Sequence, residues 1–182
     1  MVISDKTYTT KEFKEYAAQY PDRVLELING RIVEEVTTEE HGAIAANIVS
    51  ELRQWKKSKN IKGYYSVEAS VELADDDKNF RQPDVSFRFT DEEISIQGNL
   101  DTVPAFCVEV RSPTNSPKEL REKAEYFIAN GARLVWLVHP RSRAVEVYYA
   151  DSSYDIFTEE NVLSGGDVLP GFEMLVRDIF DV

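Results

Sequence analysis

Two continuous apolar runs with a capped helical segment between them constrain this chain most. The first, Ala105-Phe-Cys-Val-Glu-Val110, lies between Pro104 and Ser112-Pro113. The second, Leu134-Val-Trp-Leu-Val138, is ended by Pro140. Short unbroken apolar runs bounded by turn residues suggest strands covered on both faces. Between them, Ser116-Pro-Lys-Glu119 opens a helix: serine caps, proline takes the first helical position, and glutamate completes a capping box. Leu120, Ala124, Phe127 and Ile128 form its buried stripe, and Gly131 supplies the stop. This strand–helix–strand unit over 104–138, with hairpins on either side, predicts an α/β fold: a mixed β-sheet flanked by helices.

The flanking elements follow from local signals. Thr9-Thr-Lys-Glu12 fits a capping box for a short helix with Phe13, Tyr16, Ala17 and Tyr20 on one side. Val24–Ile28 and Arg31–Val36 read as strands joined by Asn29-Gly30, the strongest short hairpin signal. Thr37-Thr-Glu-Glu40 suggests a second capping box, before a helix with Ile44, Ile48, Leu52 and Trp55 on one stripe. Tyr64–Ala74 reads as one alternating strand and Val85–Phe89 as another, with a polar loop over 90–103. Asp75-Asp-Asp77 lacks the spacing and glycine of a calcium loop and reads as a solvated hairpin tip. Ala144–Tyr149 and Asp155–Thr158 continue as strands, and a loop at 164–171 precedes a short amphipathic end. No repeat or linker divides the 182 residues. One domain is expected, with an N-terminal helix (1–23), a core (24–149) and an acidic C-terminal segment (150–182).

Charge narrows the function classes. The net charge is −12, which argues against gripping nucleic acid by bulk electrostatics. From Asp151 onward eight acids face one base, a balance of −7, so residues 1–150 carry −12 − (−7) = −5. A local basic groove is therefore still open to them. No apolar run approaches the roughly 20 residues of a membrane span. The single cysteine, Cys107, lies inside an apolar run and reads as a small buried hydrophobe. A cytoplasmic protein is expected.

Within this frame a few charged residues stand out. Glu109 ends a buried strand, where a carboxylate is costly unless paired or metal-bound. Asp84 follows a proline at the start of the Val85 strand, and adjacent strands could bring it to Glu109. Glu26 alternates with Leu25 and Leu27, on a face that is ordinarily solvated. Lys123 flanks the buried stripe of its helix, and His41 falls on the stripe of the preceding one. Two carboxylates converging at a sheet end form a hard-cation site of the magnesium kind. A nearby lysine adds the positive charge that phosphodiester hydrolysis calls for.

The chain resembles the Uma2-type restriction endonuclease family of the PD-(D/E)xK nuclease superfamily. The segments that carry the resemblance are Leu25-Glu-Leu-Ile-Asn-Gly30, His41 opening a helix, Gln82-Pro-Asp-Val-Ser-Phe87, Val108-Glu-Val-Arg-Ser-Pro113, Lys123 with Tyr126, Gly131, and Val135-Trp-Leu-Val138. It spans about residues 24–149, with Leu169-Pro-Gly171 near the end. The resemblance implies a restriction-endonuclease-like fold and a metal-dependent endonuclease acting on DNA with Mg2+ or Mn2+. It makes Asp84, Glu109 and the Val110 carbonyl the metal ligands, Lys123 the motif lysine moved to the following helix, and Glu26 an auxiliary acid. His41 is a weaker carry-over. A homodimer would follow from the need to cut two strands.

Two positions depart from the family pattern. Arg111 stands two residues after Glu109 in place of lysine; Lys123 is favoured over it, because arginine is a poor proton carrier at neutral pH. His139 replaces an aspartate before the proline, at a position expected to be a turn. Two further readings stay open: a catalytically inactive restriction-like domain acting as a binding or assembly module, and a structural homo-oligomer. A basic strip of Arg31, Arg81, Arg88, Lys118 and Arg121 beside the acids would favour the nuclease. Absence of such a strip, or Lys123 turned to bulk solvent, would favour the inactive module.

Overall fold

The computed structural model describes residues 2–3, 6–90 and 98–182. Its centre is a mixed six-stranded sheet in the order β3-β4-β5-β6-β7-β8. The strands are β3 (Tyr64–Val67), β4 (Val85–Arg88), β5 (Phe106–Val110), β6 (Leu134–His139), β7 (Ala144–Tyr149) and β8 (Tyr154–Thr158). β5 and β6 are parallel, with Glu109 opposite Leu137; the other neighbours are antiparallel. Parallel neighbours need a crossover. α3 (Pro117–Ala129) supplies it, opened by the full capping box of Ser116 and Glu119 with Pro117 in the first turn. The expected α/β architecture is therefore present.

The pleat divides the sheet into two faces. Phe106, Val108 and Val110 of β5, with Leu134, Trp136 and Val138 of β6, bury against α2 (Glu39–Ser58) on one face. Cys107, Val135 and Leu137 point the other way, onto Leu120, Ala124 and Phe127 of α3. Burying each Leu- or Phe-sized side chain contributes about 1.5–3 kcal/mol. Alternation also puts Glu109 on the α3 face, beside Cys107. Val85 and Phe87 go to the α2 face, so Asp84 falls with Glu109.

A separate hairpin, β1 (Leu25–Ile28) and β2 (Arg31–Glu34), turns at Asn29 and Gly30 with φ of 51° and 79°. Leu25, Leu27 and Ile32 pack with Phe13 of α1 (Thr10–Ala17), whose capping box forms as expected. Tyr20 lies beyond that helix and is exposed.

Several expectations need correction. The cap of α2 is Thr38, whose side chain accepts from the His41 N–H; the third helical residue is then a histidine, so no reciprocal box forms. The strand expected over 64–74 stops at Val67, because Glu68 adopts a left-handed φ of 52°, and the chain resumes as bridges from Val71 to Arg81 and Leu100. Asp76 is not a freely solvated tip: it accepts from the Lys78 N–H, Asn79 and the Tyr126 hydroxyl. His139 is the last residue of β6, paired with Ala144, rather than a turn residue. The acidic C-terminal segment folds into β9 (Val162–Ser164), β10 (Glu173–Leu175) and α4 (Val176–Ile179), and its Leu163, Leu169, Phe172 and Ile179 join the core on the α2 face. Of the polar loop expected over 90–103, residues 91–97 lie outside the described residues. Among the described residues no helix is long and apolar enough to cross a membrane.

Candidate active site

The α3 face of the sheet, at the carboxyl end of β5, gathers the charged residues singled out above. Glu109 is 2% exposed there because its strand is covered on both faces. Lys123 projects from α3 and is 4% exposed, its Nζ 2.8 Å from Glu109 Oε2. The β1–β2 hairpin closes over this end of the sheet. It carries Glu26, fully buried, to 2.9 Å from the same ammonium. The opposite face of β1 is therefore not solvated, because α3 and the sheet end cover it. Glu26 Oε1 accepts from the Gln82 N–H at 2.7 Å, tying the hairpin to the segment before β4. Its Oε2 touches Lys123 without hydrogen-bond alignment, so that contact is ionic.

Asp84 sits just before β4 and across from Glu109. Its Oδ2 accepts from the Val110 N–H at 2.6 Å and stands 3.0 Å from His41 Nε2. His41 reaches it from the first turn of α2 and is 7% exposed. Val110 lines the same pocket. Arg111 does not join the acids: its Nε donates to the Asn115 carbonyl at 3.0 Å. Lys123 is thus the cation beside Glu109, and it faces the acids rather than bulk solvent.

Glu35 completes the arrangement and did not stand out in the sequence. It lies 3.4 Å from Lys123 Nζ and accepts from Asn115 Nδ2 at 3.2 Å. The hairpin register contained the signal. Asn29-Gly30 pairs Glu26 with Val33, and the Glu35 N–H reaches the Val24 carbonyl, so Glu35 shares the face of Glu26.

The electrostatics follow from burial and from crowding. Burial holds the Glu109 carboxyl well above the ordinary range; Lys123 opposes this, and Asp84 and Glu26 add to it. Burial likewise raises Glu26. Lys123 stays charged despite its burial, because Glu109, Glu26 and Glu35 hold its pKa well above the usual lysine range. Burial also opposes ionisation of Glu35, but Lys123 and Asn115 outweigh it and its pKa falls below normal. His41 is raised, its burial outweighed by the bond and charge of Asp84.

Four carboxylates, Glu26, Glu35, Asp84 and Glu109, therefore face one ammonium around one pocket. Such oxygens are the donors a hard divalent cation takes. Glu109 Oε1 is buried with no hydrogen-bond partner, an uncompensated state that a cation would relieve. By donor chemistry and by that orphaned oxygen, these residues fit a divalent cation. Among the described residues, no three acidic, imidazole or thiol groups are already grouped to hold one.

The basic strip that would favour the nuclease does not form, which counts toward the inactive module. Arg81 is buried over the Tyr126 ring, Arg121 is held by Glu146, and Lys118 pairs with Glu122. Arg88 sits over Tyr64, while Arg31 is exposed on the hairpin.

A mixed α/β sheet flanked by helices, with an acid cluster at its parallel strand ends, defines the class of fold. A solved structure shares it: "a putative nuclease belonging to DUF820" from Anabaena variabilis aligns over 94% of this chain and 97% of its own, with a TM-score of 0.77 at 19% identity. No curated protein matches the chain. The family model Uma2, described as "Putative restriction endonuclease", matches residues 10–177, and the chain belongs to that family.

Proposed function

We propose that this protein is a metal-dependent endonuclease that hydrolyses phosphodiester bonds in DNA. One observation carries the reading: Glu26, Asp84 and Glu109, from three separate segments, converge on the pocket that Lys123 lines. Family membership and the described nuclease of like fold support it. Asp84, Glu109 and the Val110 carbonyl would hold Mg2+ or Mn2+. A bound divalent cation lowers the pKa of a water and stabilises negative charge on a phosphoryl oxygen. Lys123 orients the attacking water or offsets the charge added to the phosphate. Glu26 and Glu35 hold the ammonium in place and keep it protonated. His41 fixes the orientation of Asp84.

Asp84→Ala tests this reading. The variant loses cleavage of plasmid DNA while keeping the circular dichroism spectrum of the parent. Full activity in the variant would end the assignment. Calorimetric titration with Mg2+ or Mn2+ shows binding to the parent that Asp84→Ala and Glu109→Ala both lose. A second reading, the catalytically inactive binding or assembly module, is favoured by the absence, among the described residues, of a basic strip beside the acids. Cleavage of neither DNA nor RNA by a parent that still binds DNA would decide for it.

A further inference from the structure

We infer that a second pocket, beside the acid cluster, binds a backbone phosphate of the nucleic acid next to the one cleaved; this rests on the nuclease reading. The pocket lies between the first turn of α2 and the turns that follow β5 and β6. β5 and β6 are the parallel pair, and ligands of open α/β sheets bind outside the carboxyl ends of such strands. His41 and Ser112 line both this pocket and that of the acids, so a single phosphate chain can pass through the two.

Its chemistry is opposite to that of the acid cluster. Arg111 and Arg141 line it, with Ser112 and a single carboxylate, Glu40. Arg111 is anchored through Nε on the Asn115 carbonyl, which fixes its guanidinium at the turn. Four of the other nine arginines of this acidic chain are spent on carboxylates: Arg23 on Glu34, Arg121 on Glu146, Arg143 on Glu159 and Arg177 on Glu160. Among the described residues neither Arg111 nor Arg141 stands in an ion pair. A guanidinium presents a planar fork of donors matched to phosphate. Two such groups beside a surplus of carboxylates give the substrate a local hold on a chain whose net charge is −12.

The test is fluorescence anisotropy of a labelled DNA duplex across a series of KCl concentrations, with calcium in place of magnesium. The proteins are the parent, Arg141→Ala, the Arg111→Ala/Arg141→Ala pair, and Lys57→Ala at the far end of α2. Arg141 is exposed, so its replacement leaves the fold intact. Loss of the one phosphate contact makes the plot of log affinity against log salt shallower by about 0.9. The double variant is expected to show this change, with binding at least fivefold weaker, and Arg141→Ala a smaller change in the same direction. Lys57→Ala matches the parent. A parent that binds while the double variant keeps its slope, and its affinity within twofold, overturns the subsite and leaves the nuclease reading standing. A parent that binds no DNA overturns both.

Discussion

Replacing Lys123 by methionine removes the ammonium that touches Glu26, Glu35 and Glu109 at 2.9, 3.4 and 2.8 Å. Methionine keeps the length of the side chain, so the packing of α3 changes little. Glu26 and Glu109 are 0% and 2% exposed, which leaves solvent little part in screening them. Removing one partner of a buried ion pair costs about 3–5 kcal/mol, because the remaining charge is uncompensated. Two buried carboxylates lose their partner here, so a loss of about 4–5 kcal/mol is expected at pH 8. That is a large share of the 5–15 kcal/mol typical of a folded domain. With a urea slope of about 2 kcal/mol per M, the unfolding midpoint falls by about 2 M. Urea titration followed by circular dichroism, in EDTA, measures it directly.

The pH dependence has a definite sign. Burial raises the Glu109 and Glu26 carboxyls in the folded state, and without the ammonium they rise further. A carboxyl raised by folding gives stability that is complete below its unfolded pKa and is lost as pH climbs through the folded value. The deficit of Lys123→Met is therefore smaller at pH 5 than at pH 8. A midpoint shift below about 0.5 M at pH 8 would refute the reasoning. It would mean that the acids are held as neutral carboxyls and that Lys123 compensates nothing.

Two further outcomes rest on single groups. Burial, with help from the Arg111 and Arg121 charges, holds the His139 imidazole below its ordinary 6.5 although Glu146 pulls the other way. A lowered histidine gives stability that is present above the unfolded pKa and lost as pH falls through the folded one. Proton NMR should thus place the His139 midpoint below 6.5, and Arg111→Ala should move it upward; a parent midpoint above 6.5 would contradict the burial account. Gly30→Ala forces a side chain into φ +79° and against Thr7 and the Tyr8 carbonyl. It should cost about 1–2 kcal/mol from the left-handed backbone alone, and an unchanged melting temperature would show that the turn relaxes freely.

Much of the fold was legible because its signals are local. The capping box of Ser116 and Glu119, the Asn29-Gly30 turn and the apolar runs of β5 and β6 each depend on a few neighbouring residues, and each forms as the pattern predicts. Where a distant segment decides, the pattern misleads. Val67, Ala69, Val71 and Leu73 alternate like one strand, yet the left-handed backbone at Glu68 interrupts it; why the backbone turns over there has no signal in the residue alternation. The C-terminal segment is acidic by count, but its Leu163, Met174, Val176 and Ile179 are buried in the core on the α2 face. Net charge describes the solvated side chains and says nothing of that packing.

The candidate site divides in the same way. Asp84 and Glu109 stand out because a carboxylate beside a buried strand is energetically conspicuous wherever it occurs, and strand adjacency needs only the pleat to align them. Glu26 looked like an ordinary exposed residue of an alternating strand, and only the closure of the β1–β2 hairpin over α3 buries it. The contrast among the arginines is also tertiary. Arg81 and Arg121 are drawn onto an aromatic ring and a carboxylate from other elements, while Arg111 and Arg141 line one pocket beyond the ends of two parallel strands. Side-chain type and spacing determine which elements form and which faces they bury, because those are short-range steric and solvation effects. Which charges end up neutralised and which remain available depends on contacts between segments far apart in the chain, such as Lys123 with Glu26 and Glu35, and these exist only once the chain has packed.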